Sequence, residues 1–436
     1  MRSKVALHNL GCKVNAYELE AMQELLEKDG YEIVPFAPGA DIYIINTCTV
    51  TNIADRKSRQ MLHKAKKMNR DAIVVATGCY VQAAKEELKV DEAIDLVIGN
   101  NQKQHLVEIL KAYDGQENFA ESVIDINHTK EYENLNIQKT AEHTRAYIKV
   151  QDGCNQFCSY CIIPFARGRV RSRSIGDVVS EVERLVENGY KEVVLTGIHL
   201  SSYGTDFEGE KESLLSLIEK VHELEGLKRI RLGSLEPRII SEHFAQKIAG
   251  LSKVCPHFHL SLQSGCDETL KRMNRRYDSK EYFEKCQLLR SVYENPAITT
   301  DIIVGFPGET EEEFEATRKF VEKVKFFETH IFKYSKRNGT KAAKMENQVA
   351  DDEKTKRSKI LISIGKKHEK TYIESYLEKD LDVLIEERVK IGGESYWLGH
   401  TKEYIKVALQ SDENLENSFI SCKANRILEG NILLGK

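Results

Sequence analysis

Three cysteines, Cys154, Cys158 and Cys161, stand in CxxxCxxC spacing within GCNQFCSYC. Thiolates are soft ligands that suit zinc and iron-sulfur centres. A structural zinc site closes with four ligands, and no fourth Cys or His lies close to this motif. Three thiolates instead match a four-iron cluster with one iron left open, and an open iron can bind and orient a cofactor. The bland alternative is three packing residues, since free cysteine otherwise behaves as a small buried hydrophobe. A second set, Cys12, Cys48 and Cys79, occurs in NLGCKVN, INTCTVT and TGCYVQ. Cys255, Cys266, Cys286 and Cys422 lack ligand spacing and read as packing residues, with the alternative for Cys266 that it faces the site from the end of a strand.

The elements around these cysteines explain how they can meet. Strand-like runs at residues 5–10, 41–47, 72–77 and 95–99 alternate with helical periodicity, for example Leu19, Met22, Leu25 and Leu26 ahead of Gly30. That pattern predicts a small parallel α/β sheet over residues 1–115. Cys12, Cys48 and Cys79 each follow a strand, at the edge where open α/β sheets gather ligands. Residues 116–139 are polar and Asn-rich and read as a linker. Residues 140–370 form the next unit, in which residues 145–335 repeat a βα unit about six times, with strands ending near Val150, Thr196, Gly233, Leu262, Val304 and Lys333, ahead of a Lys-rich helical segment from about Asp352 to Tyr376. This predicts a partial (β/α)6 barrel with its chemistry in the loops after the strands. Six units leave such a barrel open on one side, with room for a large substrate. From residue 373 to 436 the pattern turns to β, with Gly392, Gly393, Gly399 and Gly430 at turns, and predicts a small antiparallel β-barrel.

Composition sets the frame. The chain has 436 residues, 41% hydrophobic and 30% charged, so at roughly 150 residues per domain it holds about three domains with their own cores. Its apolar runs are far shorter than the roughly 18 residues of a membrane span, and MRSKVALHNLGC has too short an apolar run for a signal peptide. The expectation is a cytoplasmic protein, where ten cysteines point to metal or catalytic chemistry rather than disulfides. A net charge of -4 excludes a uniformly basic nucleic-acid binder but not local basic patches.

CxxxCxxC after the first strand of a βα barrel resembles the radical S-adenosylmethionine superfamily. The further match of KVQDGCNQFCSYCIIPFARGRVRSR, together with the three N-terminal cysteines, resembles the methylthiotransferases. NLGCKVNAYELE, NTCTVTNIADRKSRQ, LTGIHLSSYG and LSLQSGCDETLKRMNR are most similar to the branch acting on threonylcarbamoyl-adenosine in tRNA, and the C-terminal segment resembles its RNA-binding TRAM domain. The resemblance implies that Cys154, Cys158 and Cys161 ligate a radical-generating 4Fe-4S cluster and that Cys12, Cys48 and Cys79 ligate a second one. It implies two molecules of S-adenosylmethionine, one methylating sulfur on the second cluster and one yielding a 5'-deoxyadenosyl radical that removes hydrogen from C2 of the adenine. A radical is needed because that carbon is neither electrophilic nor usefully acidic. The implied partners are the anticodon stem-loop of tRNA and a reductant such as flavodoxin or ferredoxin, with the sulfur donor left open.

The remaining candidates follow from position. Gly197, His199, Ser234, Glu236, Gln263 and Gly305 fall at barrel strand ends, where they could contact S-adenosylmethionine; ordinary turn chemistry is the alternative. Arg167, Arg169, Arg171 and Arg173 alternate along an extended segment and could bind phosphate or carboxylate, including the carboxylate of the threonylcarbamoyl group. Arg56, Lys57 and Arg59 open a basic stretch, residues 53–70, whose only acid is Asp55, and are expected to meet the tRNA backbone. Trp397 and Tyr404 could stack on unpaired bases or fill the small barrel's core. The rival readings are a sister methylthiotransferase acting on isopentenyl-adenosine or on a ribosomal-protein aspartate, and a non-catalytic metal-binding RNA-binding protein.

Overall fold

The computed structural model describes residues 3–88, 90–113, 123–138, 144–209 and 212–436. Strands β1 (Lys4–Asn9), β2 (Glu32–Ile33), β3 (Ile42–Thr47), β4 (Ile73–Gly78) and β5 (Leu96–Ile98) form one parallel sheet in the order β2-β1-β3-β4-β5. Every residue of β3 is buried, because its two faces feed two cores. Ile42 and Ile44 pack with Met22 and Leu26 of helix α1 (Lys13–Lys28), while Tyr43 and Ile45 pack with Leu62 and Ala65 of helix α2 (Asn52–Met68). The Thr51 side chain caps α2 by accepting from the Ala54 N–H at 3.1 Å.

Strands β6 (Arg145–Asp152), β7 (Arg171–Ser172), β8 (Glu192–Gly197), β9 (Arg229–Leu232), β10 (His257–His259), β11 (Ala297–Val304) and β12 (Glu328–Lys333) build the second unit. All but β7 run parallel, in two sheets, β6-β8-β9 and β10-β11-β12, joined by isolated bridges at Ile230–Val254 and Leu235–Leu260. The expected six-stranded partial barrel is therefore present. β7 adds a short antiparallel strand on the edge of β6. Tyr17 and Ala21 of α1 belong to the barrel's core, so one helix serves both units.

The expected boundaries at 115/116 and 139/140 lie outside the described residues. The described part of the segment read as a linker is packed: Val123, Ile126, Leu135 and Ile137 are all buried, the last two in the barrel core. Such scattered apolar residues give no periodicity to read.

Strands β13 (Asp380–Ile391), β14 (Glu394–His400), β15 (Lys406–Leu409), β16 (Phe419–Leu428) and β17 (Ile432–Gly435) close a small barrel in the order β13-β14-β15-β17-β16. It departs from an all-antiparallel barrel at one pair, β15 with β17, which is parallel. This barrel docks under the amino ends of the larger one. Arg229 donates to the carbonyls of His400 (2.8 Å) and Asp382 (2.7 Å), and Arg231 to that of Lys402 (2.9 Å). Among the described residues, no helix is long and apolar enough to cross a membrane.

Candidate functional site

β1, β3 and β4 are neighbours in the sheet, and their carboxyl ends lead into Cys12, Cys48 and Cys79. Cys12 N-caps α1 and Cys79 opens a short helix, α3 (Cys79–Ala83). Gly11, at φ +118°, leaves space that a side chain would fill: a Cβ there would stand 3.1 Å from Cys48 Sγ. Burial pushes the Cys48 thiol up to about 12, and charge on the neighbouring Cys79 and Cys12 adds to it. Arg167 Nε donates to Cys79 Sγ at 3.0 Å. The same wholly buried guanidinium binds both carboxylate oxygens of Glu18 and reaches Asn15 Oδ1 at 2.6 Å.

Cys154, Cys158 and Cys161 sit on the loop after β6. Burial, with added charge from Cys158, pushes Cys154 to about 11 and Cys161 to about 12. The backbone N–H of Gln156 donates to Cys154 Sγ at 3.5 Å, and Arg275 Nη1 donates to Cys158 Sγ at 3.1 Å. Each triad thus has a guanidinium aimed at one sulfur, a donor set suited to thiolates around an iron-sulfur cluster. One cavity of about 400 Å³ joins the two sets: Cys12 lines it from the first unit, and Cys161 and Gln263 line it from the barrel.

The strand-end candidates divide. His199 Nδ1 pairs with Ser202 Oγ at 2.6 Å while its Nε2 is buried with no partner among the described residues, and burial beside Arg275 lowers its pKa to about 4, so the ring is neutral. Burial raises Glu236 against the pull of Arg275. Gln263 holds a positive φ of 70° on the cavity wall. Gly197 lies against Gln151, which takes the neighbouring His199 N–H, and Ser234 is exposed. The Gly305 N–H is already spent on Glu309 Oε1 at 2.8 Å, so Gly305 offers close approach but no donor.

The arginine segment corrects the expectation. Arg167, Arg171 and Arg173 are buried and do not face a substrate. Arg173 is tied to Glu181 and Asn136, and Arg171 donates to the carbonyls of Arg167 and Arg169 at 3.1 Å each. Desolvating a guanidinium requires such partners, and the acid that buries Arg167, Glu18, comes from a distant part of the chain. Only Arg169 is exposed, over the Phe157 ring at 4.6 Å. Trp397 and Tyr404 are corrected too. Trp397 belongs to the small barrel's core. Tyr404 stacks on His400 at 4.4 Å and has the guanidinium groups of Arg145 and Arg231 over its ring, inside the docking contact. Arg56, Lys57 and Arg59 are exposed on α2, with Arg59 also donating to Tyr80 Oη at 2.8 Å.

Sequence reasoning missed Arg275. It lies within the quoted LSLQSGCDETLKRMNR, but a basic residue after a short helix carries no signal of its own. It also missed Arg337, which ties the units together through Asp55, Asn52 and Thr49, each at 2.6 Å.

Residues 148–321 match the Radical SAM superfamily, and residues 4–99 match the uncharacterized protein family UPF0004. The threonylcarbamoyladenosine tRNA methylthiotransferase MtaB of Bacillus subtilis is 40% identical over 420 residues, 96% of this chain and 93% of that protein. The chain belongs to the radical SAM methylthiotransferases, in the MtaB branch. A sister enzyme, the tRNA-2-methylthio-N(6)-dimethylallyladenosine synthase of Acetivibrio thermocellus, is 34% identical over 98% of this chain and 90% of that one. Among solved structures, the radical S-adenosylmethionine methyltransferase TsrM of Kitasatospora setae shares the fold, with a TM-score of 0.56 at 16% identity, covering 76% of this chain and 75% of that one.

Proposed function

We propose that this protein converts N6-threonylcarbamoyladenosine at position 37 of tRNA to its 2-methylthio derivative. The observation that carries the reading is the single cavity of about 400 Å³ with Cys12 on one wall and Cys161 on the other. Cys154, Cys158 and Cys161 would hold the radical-generating 4Fe-4S cluster, and Cys12, Cys48 and Cys79 the second one. When bound, the clusters and S-adenosylmethionine supply the electron, the radical and the methylated sulfur. The chain's own residues bind and orient. His199, kept neutral, Glu236 and Gln263 offer polar groups to the cofactor, with Gly197 and Gly305 permitting its close approach. Val50 (53% exposed) and Phe332 (46% exposed) line the cavity and give it an apolar lip on which bases can stack. α2 starts two residues after Val50 and carries Arg56, Lys57, Lys64 and Lys67 exposed along its length, a basic face that suits a phosphate backbone.

The division into residues 1–115, 140–370 and 373–436, the TRAM-like RNA-binding role of the last, a cytoplasmic location and a flavodoxin or ferredoxin reductant belong to the same reading. Action on isopentenyl-adenosine ranks second, supported by relatives such as the Acetivibrio enzyme. The test is mass spectrometry of tRNA nucleosides from a deletion strain with and without the gene restored. Loss and return of the methylthio form of threonylcarbamoyl-adenosine supports the reading; an unchanged profile refutes it. Anaerobically reconstituted protein is expected to hold about eight irons and Cys154→Ala about four.

A further inference from the structure

The barrel interior carries a second group of ligating side chains. In the register of β10, β11 and β12, His259 pairs with Thr299, and Asp301 pairs with His330. Because side chains alternate along a strand, Thr299 and Asp301 share a face, and His259, Asp301 and His330 point the same way. The intervening Phe258, Ile302 and Ile331 point into the helix-side core, so the three polar residues face the barrel's interior. Their ligating atoms all lie within 4.8 Å of one another.

One imidazole is held from behind. His259 Nδ1 pairs with Thr299 Oγ1 at 3.0 Å, which leaves its Nε2 for another partner, and histidine ligands are fixed in this manner by an oxygen on the far nitrogen. His330 is exposed, with Nδ1 4.0 Å from Glu328 Oε1, too far for a hydrogen bond, so its ring is free to turn toward the site. His259 Nε2 is buried and lies 3.3 Å from Asp301 Oδ2, yet the pair makes no hydrogen bond. Such an oblique approach is expected of two lone pairs directed at a common third centre.

We propose that His259, Asp301 and His330 bind a divalent transition cation of the zinc class. Two imidazoles and a carboxylate suit borderline cations, whereas calcium and magnesium prefer all-oxygen sites. With metal-ligand bonds of about 2.0–2.2 Å, ligand atoms sit roughly 3–3.5 Å apart; His259 Nε2 and Asp301 Oδ2 already stand 3.3 Å apart, and the exposed His330 lies within 4.8 Å of both. Three protein ligands leave positions open. Asp301 itself lines the cavity shared by Cys12 and Cys161, as do Ile303 and Phe332, the next residues on the same faces of β11 and β12. The open positions therefore face the substrate, and the carboxylate of a threonylcarbamoyl group is the ligand they would take. That last step rests on the function proposed above; the cation site does not.

The test uses holoenzyme with both clusters, dialysed against EDTA, desalted and titrated with Zn²⁺. Wild type is expected to bind about one zinc per chain, and His330→Gln and Asp301→Asn to lose at least tenfold in zinc affinity at unchanged iron content. Zinc absorption-edge spectra of wild type are expected to show nitrogen and oxygen neighbours only. No zinc in wild type, equal zinc in the variants, or sulfur around the zinc overturns the site. Zinc removal is also expected to raise KM for tRNA carrying threonylcarbamoyl-adenosine and not for tRNA carrying isopentenyl-adenosine. Bound zinc with an unchanged KM overturns the substrate step alone. If only isopentenyl-adenosine is modified, the proposed function fails and the zinc titration still decides the site.

Discussion

Arg167→Gln is the most informative single change. The side chain is fully buried and does two separable things. It neutralises Glu18, also fully buried, and it donates from Nε to Cys79 Sγ at 3.0 Å. Removing one partner of a buried ion pair costs about 3–5 kcal/mol. Lys149 at 2.8 Å and Lys103 at 3.3 Å remain on Glu18, which places the loss at the lower end, about 3 kcal/mol. For a unit of this size that lowers Tm by roughly 6–12 °C. The second effect is electrostatic. A charge-assisted hydrogen bond is worth about 1.5–3 kcal/mol, and losing it destabilises the more negative, reduced state of a cluster held by Cys79. At 59 mV per tenfold for one electron, the reduction potential falls by about 60–130 mV. The assay is an EPR-monitored redox titration in a Cys154→Ala, Cys158→Ala, Cys161→Ala background, where only the N-terminal cluster contributes. Arg167→Lys restores the charge but not the fork and is expected to recover part of the shift. A potential within about 20 mV of the parent, together with a lowered Tm, would show that Arg167 acts on packing alone and refute the reasoning.

The remaining predictions draw on other parts of the molecule. The unfolded chain protonates a histidine near 6.5, and folded His199 does so only at about 4, so between those values protons favour unfolding. Stability is therefore full above about pH 6.5 and falls by up to about 3 kcal/mol toward pH 4; denaturant titrations across that range should show the loss, and His199→Gln should remove it. Arg231→Ala strips its donor from Glu192, paired at 2.9 Å, and unlatches the C-terminal barrel from the larger one. It should cost about 3 kcal/mol in urea and expose the chain near residue 379 to limited proteolysis. Lys57→Glu with Lys64→Glu, both exposed on α2, should weaken tRNA binding and flatten the salt dependence of log K by about 1.5–2.

The cysteine sets were legible in the sequence because they mark strand ends, and strand ends follow from local runs of apolar residues. Ile42–Thr47 delivers Cys48 to the same sheet edge as Cys12 and Cys79 whatever else the chain does. The arginine segment was misread for the opposite reason. Its alternation suggested a cationic stripe, but Glu18, which buries Arg167, lies far away in sequence, and Glu181 meets Arg173 only because the following helix folds back on the segment. Arg275 and the group of His259, Asp301 and His330 were invisible for the same reason, since strand register and loop packing bring them together and no local pattern announces them. Trp397 shows the limit of composition: an aromatic in a small barrel can face bases or core, and the choice depends on register, which places it with Val383, Ile385 and Val407.

The two cysteine sets are joined by one buried ionic lattice. Glu18, one turn and a half into the helix that Cys12 caps, binds Arg167 and Lys149; Lys149 pairs at 2.7 Å with Asp152, two residues before Cys154; and Arg167 closes the circuit on Cys79. Every member is essentially inaccessible to water. Neighbouring Lys149, Arg167 and Arg171 hold the Asp152 carboxyl well below the usual range despite its burial. A hinge between the units would have to expose these charges singly, at several kcal/mol each. The lattice therefore fixes the separation of the two thiol sets. That rigidity suits a reaction in which hydrogen must leave and sulfur must arrive at one carbon, because both ends of the chemistry have to reach a substrate held once in the cavity between them.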